Sequence, residues 1–157
     1  MPTSSCLCGA NRISYGDVPL FKFRCHCTDE WRLTGTAFCL NITYPSDKLE
    51  TLAGSLVEYS RTAASGETIT SHFCGTCGSL LYRDTTRDIL FITIYLLMRL
   101  VRFPGIVVIK AGCMDSKTAV EDFKPDIEIF TRTRASWVPA IEGAKQELGD
   151  FSDLGEL

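Results

Sequence analysis

Cys6 and Cys8 form one close pair near the start of the chain, and Cys74 and Cys77 form a second in its middle, each pair followed directly by a glycine, Gly9 and Gly78. Four thiolates in two close pairs suit a tetrahedral zinc ion, because each pair closes a tight turn and the glycine leaves room for backbone beside the metal. With 65 residues between Cys8 and Cys74, such a site staples the N-terminus to the mid-chain. A sphere filled by four cysteines is structural: it holds the fold and has no open position for chemistry.

A third cluster, Cys25-His26-Cys27-Thr28-Asp29-Glu30, offers only two thiols and cannot close a structural sphere by itself. One reading makes Cys25 and Cys27 thiolate ligands and Glu30 a carboxylate ligand of a second, catalytic zinc, with the fourth position open to water or a substrate sulfur. Carboxylate keeps the ligand charge of a thiolate but is a harder donor, so this zinc would be more Lewis acidic and softer metals would bind less tightly. The other reading is a strand end with two inward cysteines and a solvated Glu30. If the segment is extended, His26 points away from its neighbours and lies outside the ligand set. His72 reads as a core or supporting group, and Cys39 and Cys113 as small core residues. The segment from Thr34 to Phe38 is either an ordinary turn or a loop that faces substrate. Trp137 with Arg132 and Arg134 forms either a cationic and aromatic rim to a pocket or a surface strand closed by a packed Trp.

The elements that must position these residues are mostly strands. Segments rich in β-branched and aromatic residues, bounded by Gly, Pro, Asn, Asp and Ser, recur at 20–24, 36–43, 55–60, 68–73, 79–82, 106–111 and 127–131. Helical periodicity is confined to one turn at 116–121 after Asp115 and a short surface helix at 139–148. No repeat, low-complexity tract or linker divides the chain, so residues 1–157 are expected to form one mostly β domain, large enough to bury a core without disulfides.

Met1-Pro2-Thr3-Ser4-Ser5 is a polar lead with no apolar signal segment, which places the expected compartment in the reducing cytosol. The formal charge of -3 counts every thiol as neutral; two zinc ions add four charges and six thiolates remove six, taking it to about -5. An acidic chain with scattered Lys and Arg is a poor partner for nucleic acid. Residues 89–98 carry no charge, but ten residues fall well short of the roughly 20 needed to span a bilayer, so no membrane association is expected.

Taken together, C-L-C-G, C-H-C-T-D-E with R-L-T-G after one residue, F-C-G-T-C-G-S-L-L, V-V-I-K-A-G-C-M-D and E-I-F-T-R-T-R-A-S-W resemble the glutathione-dependent formaldehyde-activating family, which also includes centromere protein V. The resemblance runs from Cys6 to about Gln146. It implies a zinc-stapled β fold of the tent type, one structural four-cysteine zinc, and a second zinc at a site open to glutathione adducts. The activity implied is that of a carbon-sulfur lyase, making or breaking the bond between a thiol such as glutathione and an aldehyde or related carbon. A non-catalytic zinc module serving a protein partner is the alternative.

Two features depart from the family pattern. Where the family normally has a third cysteine followed by arginine, this chain has Glu30 and Trp31, which leaves the second site retuned, weakened or lost. The stretch 88–101 also looks additional, because the family usually reaches the V-V-I-K-A-G strand through a shorter connection. Deleting 88–101 should therefore leave a folded protein, since surface connections tolerate length change at small entropic cost. Circular dichroism and a thermal melt check this, and loss of the folded state would make the run a core strand.

Overall fold

The computed structural model describes residues 1–63, 66–85 and 105–151, so the stretch 88–101 lies outside the described residues. Eleven strands are described: β1 (Thr3–Ser5), β2 (Arg12–Ser14), β3 (Phe21–Cys25), β4 (Cys39–Pro45), β5 (Glu50–Ala53), β6 (Leu56–Thr62), β7 (Thr68–Cys74), β8 (Leu80–Thr85), β9 (Ile106–Lys110), β10 (Ile127–Ile129) and β11 (Lys145–Gln146). They form a three-stranded sheet in the order β1-β2-β5 and an eight-stranded sheet in the order β11-β10-β3-β4-β9-β8-β7-β6. Pairing is antiparallel except at one edge, where β10 runs parallel to both β3 and β11.

The mostly β architecture is the one expected, and each of the seven expected strands is present with shifted ends. β1, β2, β5 and β11 gave no signal, because two to four largely polar residues carry too little alternation to stand out. Helix α1 (Thr28–Thr34) was also not expected. Its start is capped by the Cys27 sulfur, which accepts from the Glu30 amide at 3.4 Å, and Gly35 ends it at φ 67°. The expected turn at 116–121 appears as α2 (Ala119–Asp122). The helix expected at 139–148 is not formed: Lys145 and Gln146 pair with β10, and the Ile141 amide donates to Glu128. Tertiary partners have overridden a weak local preference.

Two apolar clusters fill the fold. The larger joins Ile13, Tyr15, Ile42, Tyr44, Leu81, Val107 and Ile109 with the buried Cys6 and Cys74; the smaller gathers Phe23, Cys25, Ile127 and Ile129. The two lie on opposite faces of β3, β4 and β9, because successive strand residues alternate sides. The register places Phe23 beside Asn41, Asn41 beside Lys110, and Thr43 beside Val108. The face carrying Phe21, Phe23 and Cys25 therefore also carries Asn41 and Lys110.

A buried ionic knot ties the parallel edge together. Glu128 on β10 is fully buried and accepts from Arg24 Nε and Nη2 at 2.9 and 2.6 Å, from the Ile141 amide, and from Gln146 at 3.1 Å, with His26 Nε2 at 2.7 Å. Burial pushes the Glu128 carboxyl up, but the Ile141 amide, His26, Arg24 and Gln146 outweigh it and hold it at about 2, against an ordinary 4.5. Glu128→Gln should cost roughly 3–5 kcal/mol at neutral pH, because it leaves Arg24 buried without its counter-charge. A depressed carboxylate stabilises above about 4.5 and loses that contribution as pH falls through about 2. The stability gap between parent and variant, from urea melts at several pH values, should narrow over that interval.

Candidate metal and substrate site

The four-cysteine set assembles as its spacing requires. The sulfurs of Cys6, Cys8, Cys74 and Cys77 all lie within 4.8 Å of one another, and no other such group occurs among the described residues. Cys6 and Cys8 sulfurs are 3.5 Å apart, and those of Cys8 and Cys74 are 3.7 Å apart. A tetrahedron with zinc-sulfur bonds of about 2.3 Å has edges of about 3.8 Å, so these sulfurs stand at the separations a zinc ion sets.

The two loops that carry the sulfurs are built alike. Gly9 and Gly78 both adopt φ 74°, and their amides donate to the carbonyls of Cys6 and Cys74, each at 2.9 Å. Glycine takes this left-handed conformation without the steric cost of a side chain. Amides also face the sulfurs: Asn11 donates to Cys6 at 3.2 Å and Cys77 to Cys74 at 3.5 Å. The Ser79 hydroxyl stands 3.3 Å from the Cys77 sulfur and, with backbone amides, pulls that thiol down to about 5. The donor set fits a zinc ion: all four groups are soft, and hydrogen-bond donors face the sulfurs of Cys6, Cys74 and Cys77.

The third cluster assembles differently. Cys25 ends β3 and Cys27 caps α1, and both residues line a cavity of about 620 Å³. The Cys25 hydrogen bond and the Glu30 and Asp29 amides lower the Cys27 thiol to about 7 against the effect of burial, whereas the Cys27 contact and burial raise that of Cys25. Glu30 is 2% exposed, and its carboxylate does not join the two sulfurs in a ligand group. It accepts instead from Lys110 Nζ at 2.7 and 3.0 Å and from Arg83 Nη1 at 2.7 Å, while Asn41 Oδ1 accepts from the same ammonium at 2.7 Å. Burial raises the Glu30 carboxyl, but the two cations win and its pKa is lowered. As arranged, Cys25, Cys27 and Glu30 do not fit a second divalent ion, because the carboxylate is already committed to two buried cations.

Sequence reasoning missed Lys110, Arg83, Asn41 and Glu128. The signal available was a lysine ending the apolar run I-V-V-I-K, since a charge on a buried strand calls for a buried partner. His26, placed outside the ligand set, is fully buried on Glu128, and His72 stacks on Tyr82 with its Nε2 2.9 Å from Asp84. Burial pushes the Cys39 thiol up to about 11 and raises that of Cys113. Thr34 and Thr36 hold the end of α1 and border a smaller recess beside Lys110. Of the expected rim, Arg132 lines the cavity, Arg134 turns to Gln146 at 2.7 Å, and Trp137 is 73% exposed.

The cavity has two distinct ends. Phe21, Phe23 and Cys25 share one face of β3, so an aromatic track runs about 13 Å away from the Cys25 backbone. Phe151 packs edge-on against Phe21 and Phe23 at 5.3 and 5.1 Å, and Ile69, Ile106 and Val108 continue the apolar wall. Around the thiols stand Glu30, Arg83 and Arg61, the last paired with Asp29. Among the described residues no helix is long and apolar enough to cross a membrane.

The family model described as glutathione-dependent formaldehyde-activating enzyme matches residues 1–133. No curated protein matches the chain. A crystal structure of a Rhodobacter sphaeroides protein from a structural genomics programme superposes with a TM-score of 0.53 at 17% identity, covering 78% of this chain and 96% of that one, a likeness of fold. Cys74→Ser should remove the zinc from the four-cysteine site and cost several kcal/mol or abolish soluble folding, because binding free energy at such sites is folding free energy. Zinc content and a thermal melt check this; a variant that keeps its zinc and melts like the parent contradicts the assignment.

Proposed function

The chain belongs to the glutathione-dependent formaldehyde-activating enzyme family, and from that premise we propose that it is a zinc-dependent carbon-sulfur lyase acting on a glutathione adduct of an aldehyde. The observation that carries this reading is the cavity of about 620 Å³ with Cys25 and Cys27 in its wall, a size suited to a small-molecule ligand. The zinc dependence lies in the four-cysteine site, which holds the sheets that shape the cavity.

The adduct is a hemithioacetal, whose cleavage needs a proton moved from its hydroxyl to its sulfur. Cys27, the more exposed of the two thiols, takes the hydroxyl proton as thiolate. The carbonyl forms, the carbon-sulfur bond breaks with its electron pair left on the glutathione sulfur, and the same proton passes to that sulfur. Thiol and aldehyde leave and Cys27 is restored. Arg61 and Arg132 line the cavity and suit the carboxylates of glutathione, while the phenylalanine track suits an adduct whose carbon portion is apolar. None of the eight cysteines is joined in a disulfide, in keeping with a reducing compartment, the cytosol.

The engagement of Glu30 by Lys110 and Arg83 favours a second reading, a non-catalytic zinc module serving a protein partner. Turnover separates the two. The lyase reading expects the parent to accelerate release of aldehyde from a hemithioacetal of glutathione, and Cys27→Ser, which keeps a capping side chain on α1, to lose 10²–10⁴-fold, the usual contribution of a proton-transfer group, with zinc content unchanged and melting close to the parent's. S-hexylglutathione should bind at least about tenfold more tightly than S-methylglutathione, given about 0.8 kcal/mol per buried methylene. A parent that accelerates nothing and binds neither compound leaves the module reading.

A further inference from the structure

Glu30, Lys110, Arg83 and Asn41 form a closed polar cluster in the interior, 2, 4, 7 and 1% exposed respectively. Its geometry comes from four elements. Glu30 sits in the first turn of α1, whose start is fixed by the Cys27 cap; Asn41 and Lys110 are direct partners across β4 and β9; and Arg83 pairs with Val108 across β8 and β9. The carboxylate is thus set over one patch of sheet from which two cations rise to meet it.

We propose that this ion cluster stands in place of a second metal centre, making the chain a one-zinc protein in which Cys25 and Cys27 are a free dithiol facing the cavity. Electrostatics carry the argument. An ammonium and a guanidinium, both within 2.7 Å of Glu30 oxygens, together supply the two positive charges that a divalent ion would bring. Adding that ion would set it beside two buried cations. Among the described residues, moving Glu30 onto it would leave Lys110 with only Asn41 and would strip Nη1 of its partner in Arg83, whose Nε already has none. A buried cation without its counter-charge is strongly destabilising, and a carboxylate that already accepts three charge-assisted bonds is a poor donor to a metal.

The inference concerns metal content and thiol state, so it holds whether or not the cavity turns over an adduct. The test begins with the full chain purified in zinc-replete buffer, cleared of loosely held metal, and assayed for zinc per chain. Native protein is then treated with iodoacetamide, with and without added zinc, and alkylation of Cys25 and Cys27 is followed by mass spectrometry. The expected results are one zinc per chain and alkylation of Cys27 at a rate that zinc does not change. Glu30→Gln should keep that single zinc and melt lower than the parent, and the effects of Glu30→Gln and Lys110→Met on melting should be non-additive, since each removes the other's partner. Two zinc ions in the parent, with one lost in Glu30→Gln or with zinc protecting Cys27, would overturn the proposal. Neither parental measurement depends on a variant that folds.

Discussion

The convergence of Cys6 and Cys8 with Cys74 and Cys77 is the contact on which the rest of the architecture depends. It joins the loop between β1 and β2 to the turn between β7 and β8, and so fastens the small sheet to the large one alongside the apolar core they share. Loops bearing sulfurs this close repel one another as thiolates, and a divalent ion converts that repulsion into a tie. The paired glycine turns, with matching φ and matching amide-to-carbonyl bonds, allow two loops of different sequence to present sulfurs to one centre.

From that tie the cavity follows. Fixing β7 and β8 at one side and β3 with β10 at the other bends the large sheet around a space lined by residues of one strand face. The Glu128 knot fixes the parallel edge, holding Arg24 and His26, the residues on either side of Cys25. The Glu30 cluster fixes α1 over the sheet, and with it the position of Cys27. Two buried carboxylates therefore set the walls between which the cysteines stand, and both are neutralised by cations from neighbouring strands. Satisfying each charge inside the fold is what keeps them from costing more than they stabilise.

Much of this was legible in the sequence, and the limit of what was legible has a physical reason. Close cysteine pairs with trailing glycines carry their geometry locally, so the zinc site could be read without the fold. Strands with β-branched runs of five to seven residues could be read for the same reason. The state of Glu30 could not, because it is decided by Lys110 and Arg83, 80 and 53 residues away, and only strand register brings them together. Helix α1 was hidden because its cap is a cysteine, outside the usual Ser, Thr, Asp and Asn. The segment 139–148 misled because a few helix-favouring residues weigh less than one buried carboxylate that recruits the Ile141 amide.

These features reduce to one statement about metal: a single zinc held by four sulfurs, with the position that could have supplied an oxygen ligand given over to an ion pair. X-ray absorption at the zinc edge of the purified protein tests it most directly. The account predicts one shell of four sulfur scatterers at about 2.3 Å and no lighter neighbour. A mixed shell, with oxygen at about 2.0–2.2 Å and fewer than four sulfurs per zinc, would place zinc on Glu30 with Cys25 and Cys27 and contradict it.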